Sequence, residues 1–343
     1  MIQLPKEMAR IKARVDDMIL NQLLPSSSPI KEVDLLYKMM RDYPERPAKG
    51  IRPFICVTSC KAFGGKEDDA LLTAACIELF QNWILIHDDI EDASEMRRGQ
   101  PVLHRKYNES LALNTGDALH ARMWGYLLRN GNSIGVDRTY KILQEFSTMV
   151  NQTTEGQHME LVWVMDGRWD LDEKDYLEMV TKKTAWYTVT SPSRLGAIIA
   201  KTPESEMRKL LEFGWKLGVG FQIQDDALNL IGDERKYGKE SSDDILEGKR
   251  TLMLLRVLKL ATRGEREILV RIMKKKRKEK TSENVDYVLS LMRKYKTIEY
   301  AQREANRFVD EAIAVMKTIK WKGDAQSVEF FHQAARFLVD RQW

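Results

Sequence analysis

Along most of the chain, apolar residues recur three and four positions apart, the period of an α-helix that buries one face. The stretches "LLTAACIELFQNWILIHDDI" (71–90), "EMRKLLEFGWKLGVGFQIQDDALNLI" (206–231) and "EYAQREANRFVDEAIAVMKTI" (299–319) each predict a long helix. Convincing period-two alternation is absent, so no strands are expected. The pattern breaks at 24–29, 42–53, 129–135, 232–244 and 274–284, where Gly, Pro, Ser or charge accumulates. None of these breaks is long enough to be a clear linker, and no short-period repeat occurs. The chain is therefore expected to form one all-α domain over residues 1–343, a large bundle of about ten or more helices.

Composition narrows the function classes. Hydrophobic content of 43% with 31% charged residues is that of a soluble globular protein. A formal net charge of +4 gives no argument for nucleic acid, and the one dense basic run, "KKKRKEK" (274–280), reads as a solvated loop rather than a lipid contact. Cys56, Cys60 and Cys76 form no CxxC pair, which suggests a reducing compartment without disulfides or structural zinc; Cys56 and Cys60, one helical turn apart, read as core. The amino terminus lacks the apolar core of a signal peptide, and no later stretch is expected to approach a membrane span. A cytoplasmic protein without stable membrane insertion is the expectation.

Chemistry enters with "LIHDDIEDASEMRRGQP" (85–101), in which Asp88, Asp89 and Asp92 follow an apolar run and precede Arg97 and Arg98. On a helix Asp88 and Asp92 share a face, and like charges there repel. One such cluster is usually a solvated surface. More than a hundred residues later "FQIQDDALNLIGD" (221–233) repeats it, with Asp225 and Asn229 at the same spacing and Asp226 alongside. Two acidic clusters at the ends of apolar helices could hold Mg²⁺ between them, since Mg²⁺ takes one or two carboxylates and completes its shell with water and phosphate oxygens.

The ordered motif set resembles the trans-isoprenyl diphosphate synthase family, which makes farnesyl and geranylgeranyl diphosphate. "DDIEDASEMRRGQP" matches the family's DDxxDxxxxRRGxP, "AKGIRP" (48–53) its GKxxRP, "GQHMEL" (156–161) its GQxxDL and "KTAWYT" (183–188) its KTxxxT. The second acidic cluster, followed by "GKESSDDILEGKRT" (238–251), completes the series. The resemblance implies a helical bundle of isoprenoid-synthase type around a central active-site cavity, and a homodimer. It also implies that Asp88, Asp89, Asp92 and Asp225 bind several Mg²⁺ ions, for which Mn²⁺ can substitute, with Asp226 and Asn229 in support. Arg97, Lys183, Gln222 and Lys239 would contact the allylic diphosphate (dimethylallyl, geranyl or farnesyl). Isopentenyl diphosphate would sit opposite on Lys49, Arg52, Gln81 and Arg98, and backbone carbonyls with the Lys183–Thr184 helix region would steady the cation.

Three departures from the family pattern stand out. Ala48 replaces a glycine before the lysine, Glu160 an aspartate of GQxxDL, and Asn229 the last aspartate of the second cluster. Altered metal affinity, more than loss of activity, is the expectation. His87 and His104 are read as structural, Asp117 as packing or helix termination as readily as catalysis, and most tryptophans as core.

Product length would depend on the positions five and four before Asp88, here Trp83 and Ile84, as the floor of the growing chain. An aromatic residue at the fifth position alone, without an insertion in DDxxD, resembles archaeal-type geranylgeranyl synthases, so geranylgeranyl diphosphate is the expected product and farnesyl diphosphate the alternative. A class I terpene synthase would need no second diphosphate site, and a non-catalytic partner subunit would be expected to lose the acidic motifs, so both rank below a condensing enzyme.

Overall fold

The computed structural model describes residues 3–231 and 242–340. Its helices are α1 (Leu4–Asp17), α2 (Lys31–Glu45), α3 (Ile51–Ala62), α4 (Glu67–Glu91), α5 (Leu103–Lys106), α6 (Glu109–Leu128), α7 (Gly131–Ile134), α8 (Val136–Met165) and α9 (Glu173–Val180). There follow a π-helix (Thr181–Thr190; a shorter one, Met18–Leu23, lies between α1 and α2), α10 (Ser191–Ile199), α11 (Glu204–Ile231), α12 (Asp243–Glu247), α13 (Leu252–Leu260), α14 (Arg263–Met273), α15 (Ser282–Lys294), α16 (Thr297–Met316) and α17 (Ala325–Asp340). The three long helices expected from periodicity are α4, α11 and α16. The all-α expectation holds, with one addition: Met96–Arg97 (β1) pairs antiparallel with Gln100–Pro101 (β2) in a miniature hairpin. Two residues per strand are too few for alternation to register.

Local chemistry sets several boundaries. Asn108 caps α6 by accepting the Leu111 N–H, and Asp172 with Asp175 forms a reciprocal capping box on α9. Glu67, Asp68 and Asp69 place negative charge on the first turn of α4, where the helix dipole favours it. Two apolar clusters fill the interior. The larger is built around α3, α4, α6 and α8, the other around α9, α13, α15 and α16. Successive faces of α11 serve both, through Phe213 and Leu217 in the first and Ile223 and Ala227 in the second. Cys56, Cys60 and Cys76 are all buried free thiols in or beside this core, as their spacing suggested.

One expectation needs correcting. Helix α4, at 25 residues, is long and apolar enough to cross a membrane by length and composition, although 72% of its apolar window is buried inside the protein. Its hydrophobicity on every side reflects encirclement by other helices, since a helix that is apolar all round belongs in a core or a bilayer. The basic run also differs from a simple solvated loop. Arg277 pairs with Asp243 at 2.6 Å, and the buried Lys280 donates to the Leu246 carbonyl at 2.7 Å, so part of the run is fastened to α12.

The π-helix sits between α8 and α11, and its wider turn carries Lys183, Thr184 and Tyr187 on one side. Close approach to α8 is possible because position 156 has no side chain: a Cβ there would lie 2.2 Å from the Lys183 amide nitrogen. Neither partner is a flexible tip, so the backbones themselves would have to part. Gly156→Ala should therefore destabilise the protein by at least ~2 kcal/mol and displace Lys183, lowering both Tm and activity. Thermal denaturation beside an activity assay checks this, and a variant with wild-type Tm would contradict the close packing.

Candidate active site

The ends of α3, α4, α8 and α11, the π-helix and the segment 244–251 enclose a cavity of about 370 Å³. Charge is distributed unevenly over its wall. Asp88 from α4 and Glu160 from α8 share one region with Asp225, Asp226 and Asn229 from α11, while Lys49, Arg52 and Gln81 line another. Most of the anticipated residues thus converge: Asp88, Asp225, Arg97, Arg98, Lys49, Arg52, Gln81, Lys183, Thr184, Gln222 and Ile84 all line this one space. Lys239 lies outside the described residues.

Three residues are placed differently. Asp89 is fully buried away from the cavity, where it accepts hydrogen bonds from Arg97 Nε at 3.0 Å and from the Tyr43 hydroxyl. Its carboxylate holds Arg97 in place instead of lining the cavity, because i and i+1 on a helix point about 100° apart. Asp92 does not line the cavity either; Lys249 reaches it at 3.1 Å. Trp83 packs into the seam between α4 and α6, with its indole stacked on His120 at 4.0 Å between ring centroids and edge-on to Phe80. The cavity wall on this side is Ile84 and Leu85.

Interleaved cations hold the acidic region together. Lys183 pairs with Glu160 and approaches Asp88 at 3.5 Å, so Glu160, a departure from the family pattern, still supplies a carboxylate to the motif's lysine. Burial opposes the charge on Lys183, but Glu160 and Asp88 together keep it protonated, with its pKa above the usual lysine range. Lys249 makes similar contacts with Asp92 and with Glu247 at 2.6 Å. Gln157 donates to Asp88 at 3.2 Å and to Glu91 at 2.5 Å. On α11, Asp226 accepts from Tyr176 at 2.7 Å and from Gln222 at 2.6 Å, and Gln222 in turn accepts from Thr184 at 2.9 Å. The amide oxygen of Asn229 accepts the Asp244 backbone N–H at 3.2 Å, which ties α11 to α12. Lys249, Gln157 and Tyr176 carry no assigned role from the sequence. The first two lie inside quoted motifs and could have been found there; Tyr176 has no local signal.

The other region is organised by a turn. Arg98 and Gly99 connect the hairpin strands with φ of 53° and 74°, the positive pair of a type I′ turn. The turn sends neighbouring arginines apart. Arg97 goes to Asp89 and, at 3.6 Å, Asp88, whereas Arg98 donates to the Tyr43 carbonyl at 3.1 Å and lies 4.0 Å from Glu78. Gln81, with its amide nitrogen toward Glu78 at 3.2 Å, accepts from Arg52 at 2.9 Å. The Arg52 guanidinium lies 4.3 Å over the Tyr187 ring and donates to Thr188 at 3.0 Å, and its Nε–H is buried with no partner.

A helical enclosure with facing carboxylate clusters, lysines threaded between them and a separate guanidinium pocket defines the isoprenoid-synthase class of protein. The chain belongs to the polyprenyl synthetase family, whose model matches residues 33–292. It is 36% identical to a geranylgeranyl diphosphate synthase of Saccharolobus solfataricus over 79% of this chain and 80% of that protein. A geranylfarnesyl diphosphate synthase of Aeropyrum pernix is 32% identical over 85% and 90%. Among solved structures, geranylgeranyl pyrophosphate synthetase from Pyrococcus horikoshii superposes with a TM-score of 0.85 at 30% identity, covering 97% of this chain and 98% of that one. The protein is a prenyltransferase.

Burial raises the pKa of Asp92 to about 7 against the pull of Lys249, and that of Asp226 to about 7 against the hydrogen bonds from Tyr176 and Gln222. A carboxyl whose pKa is higher folded than unfolded binds more protons in the folded state. Its stabilising contribution is complete below the ordinary carboxylate range and is lost as pH rises through about 7. In chelator-treated protein, Asp226→Asn should therefore flatten the fall in Tm between about pH 5 and pH 8. An equally steep fall in the variant would contradict the shift at Asp226.

Proposed function

We propose that the protein is a Mg²⁺-dependent short-chain trans-prenyl diphosphate synthase that condenses isopentenyl diphosphate with allylic diphosphates, with geranylgeranyl diphosphate as its main product. The observation that carries this reading is the division of one cavity into a carboxylate-and-lysine region and a guanidinium region split by the Arg98–Gly99 turn. An enzyme that only ionised an allylic diphosphate would need the first region alone. The relatives named for geranylgeranyl products support the product assignment.

The donor set suits Mg²⁺. Asp88 and Asp225 offer hard oxygens from two helices, and among the described residues no group of three or more potential ligands is placed to hold a metal by itself. That leaves positions for water and for substrate phosphate. When bound, Mg²⁺ would supply charge stabilisation to the departing diphosphate. Lys183, Arg97 and Lys249 add fixed positive charge there, already in place before reaction, which is where electrostatic catalysis gains most. Arg52, with its unpaired Nε–H, joins Lys49, Gln81 and Arg98 to hold the second diphosphate by guanidinium and ammonium contacts. As the allylic C–O bond breaks, the double bond of isopentenyl diphosphate attacks the cation. The released diphosphate takes the proton, so no side-chain base is required. Exposed Leu113 and Leu128 on α6 and Val136 and Tyr140 on α8 suit burial against a second copy, in keeping with a homodimer.

Incubation with isopentenyl and allylic diphosphates, followed by chromatography of the products, should give a main product of four isoprene units. Chelation should abolish turnover, and Asp225→Ala should lower kcat by about 10²-fold or more with the helical fold retained. Chelator-insensitive condensation would overturn the metal assignment, and failure to consume isopentenyl diphosphate would overturn the reading itself.

Trp83 fills the α4–α6 seam behind Ile84, so Trp83→Ala should open room for another five-carbon unit and shift products to longer chains. A product distribution identical to wild type would remove Trp83 from the chain-length floor and leave Ile84 and Leu85 as the boundary.

A further inference from the structure

Arg46 is among the largest fully buried side chains, yet it does not line the cavity. Buried guanidinium is costly unless every donor is satisfied, and an arginine has five N–H donors. All five are used here. Nε and Nη2 donate to Asp42 at 2.8 and 2.5 Å; Nη1 donates to the Arg97 carbonyl at 2.8 Å and more weakly to that of Gln100 at 3.4 Å; Nη2 also donates to the Pro101 carbonyl at 2.8 Å. The group also lies 4.4 Å over the Tyr43 ring. Three of its acceptors are main-chain carbonyls of the hairpin on either side of the Arg98–Gly99 turn.

Arg98 occupies the left-handed region at a position where a type I′ turn ordinarily takes Asn, Asp or Gly. A non-glycine residue there persists only when its surroundings hold it. We propose that Arg46 is a positioning residue: by gripping both strands of the hairpin it fixes the turn that aims Arg97 at the carboxylate region and Arg98 at the guanidinium pocket. This rests on the reading that those arginines serve two different diphosphates. Arg46 touches neither substrate. Asp42 anchors it from the preceding turn of α2, and Tyr43, between them in sequence, binds Asp89 through its hydroxyl and Arg98 through its carbonyl. The end of α2 and the residue that follows it thus hold both arginines.

The test is steady-state kinetics on Arg46→Lys, Arg98→Ala and the double variant, with Tm measured for each. Lysine keeps the charge but cannot reach three carbonyls and a carboxylate at once. Arg46→Lys should raise KM for both isopentenyl and allylic diphosphate about tenfold. Arg98→Ala should raise the isopentenyl KM alone. In the Arg98→Ala background, Arg46→Lys should add no more than about twofold to the isopentenyl KM, since the group it positions is gone. Additive effects on that KM, or a lowered Tm with unchanged KM values, would overturn the proposal and leave Arg46 a stabilising residue only. If Arg98→Ala leaves the isopentenyl KM unchanged, the two-site reading fails and the proposal with it; if Arg98→Ala has its effect and Arg46→Lys does not, the proposal alone fails. Should Arg46→Lys not fold, Asp42→Asn loosens the same anchor and should raise both KM values about threefold; unchanged values there would count against the proposal in the same way.

Discussion

The arrangement around the cavity follows from the mutual repulsion of carboxylates gathered on one part of its wall. Asp88, Glu160, Asp225 and Asp226 line it together, with Asp92 beside it on Lys249, and like charges gathered so closely repel unless compensated. The fold answers in two ways. Lys183 and Lys249 are threaded between the acids, and protonation is favoured at Asp92 and Asp226, where desolvation disfavours the charged form. On the proposed reading, a divalent ion bound there would relieve part of a repulsion that the folded chain already bears.

Supporting such a site takes rigid backbone from several directions. The π-helix brings Lys183 and Thr184 to the wall, and it can do so only because α8 presents Gly156 at the crossing. The hairpin supplies the arginines from the opposite side, with its main chain held by the buried guanidinium of Arg46 just past the end of α2. In both places a polar side chain reaches its target because a neighbouring main chain has been fixed first. This division of labour explains why motif residues such as Gly156 and Gly99 sit among charged ones although they carry no chemistry of their own.

Much of this was legible in the sequence. Helical periodicity located α4, α11 and α16 to within a few residues, and the ordered motifs named most of the residues that line the cavity. What escaped notice depended on direction. Asp89 and Asp88 are adjacent letters in one motif, but the helical rotation between them turns one into the core and leaves the other on the wall. The partnership of Asp92 with Lys249 joins residues far apart in the chain, as does the stacking of Trp83 on His120. The hairpin was invisible because two-residue strands have no period, and the role of Tyr176 has no local pattern to betray it.

The apolar length of α4 carries a consequence for how the chain is made. Its most extensive packing partner, α6, follows it in sequence, and α10, which also covers it, is synthesised much later. As the polypeptide leaves the ribosome, a 25-residue segment able to pass for a membrane span therefore has α1, α2 and α3 to pack against but still lacks α6 and α10. The charged flanks offer some protection, with three acids at its start and the aspartate cluster at its end. The aspartates proposed to serve the substrate thus also mark the helix as unfit for a bilayer, and neutralising them would weaken the distinction between a core helix and an anchor during biogenesis.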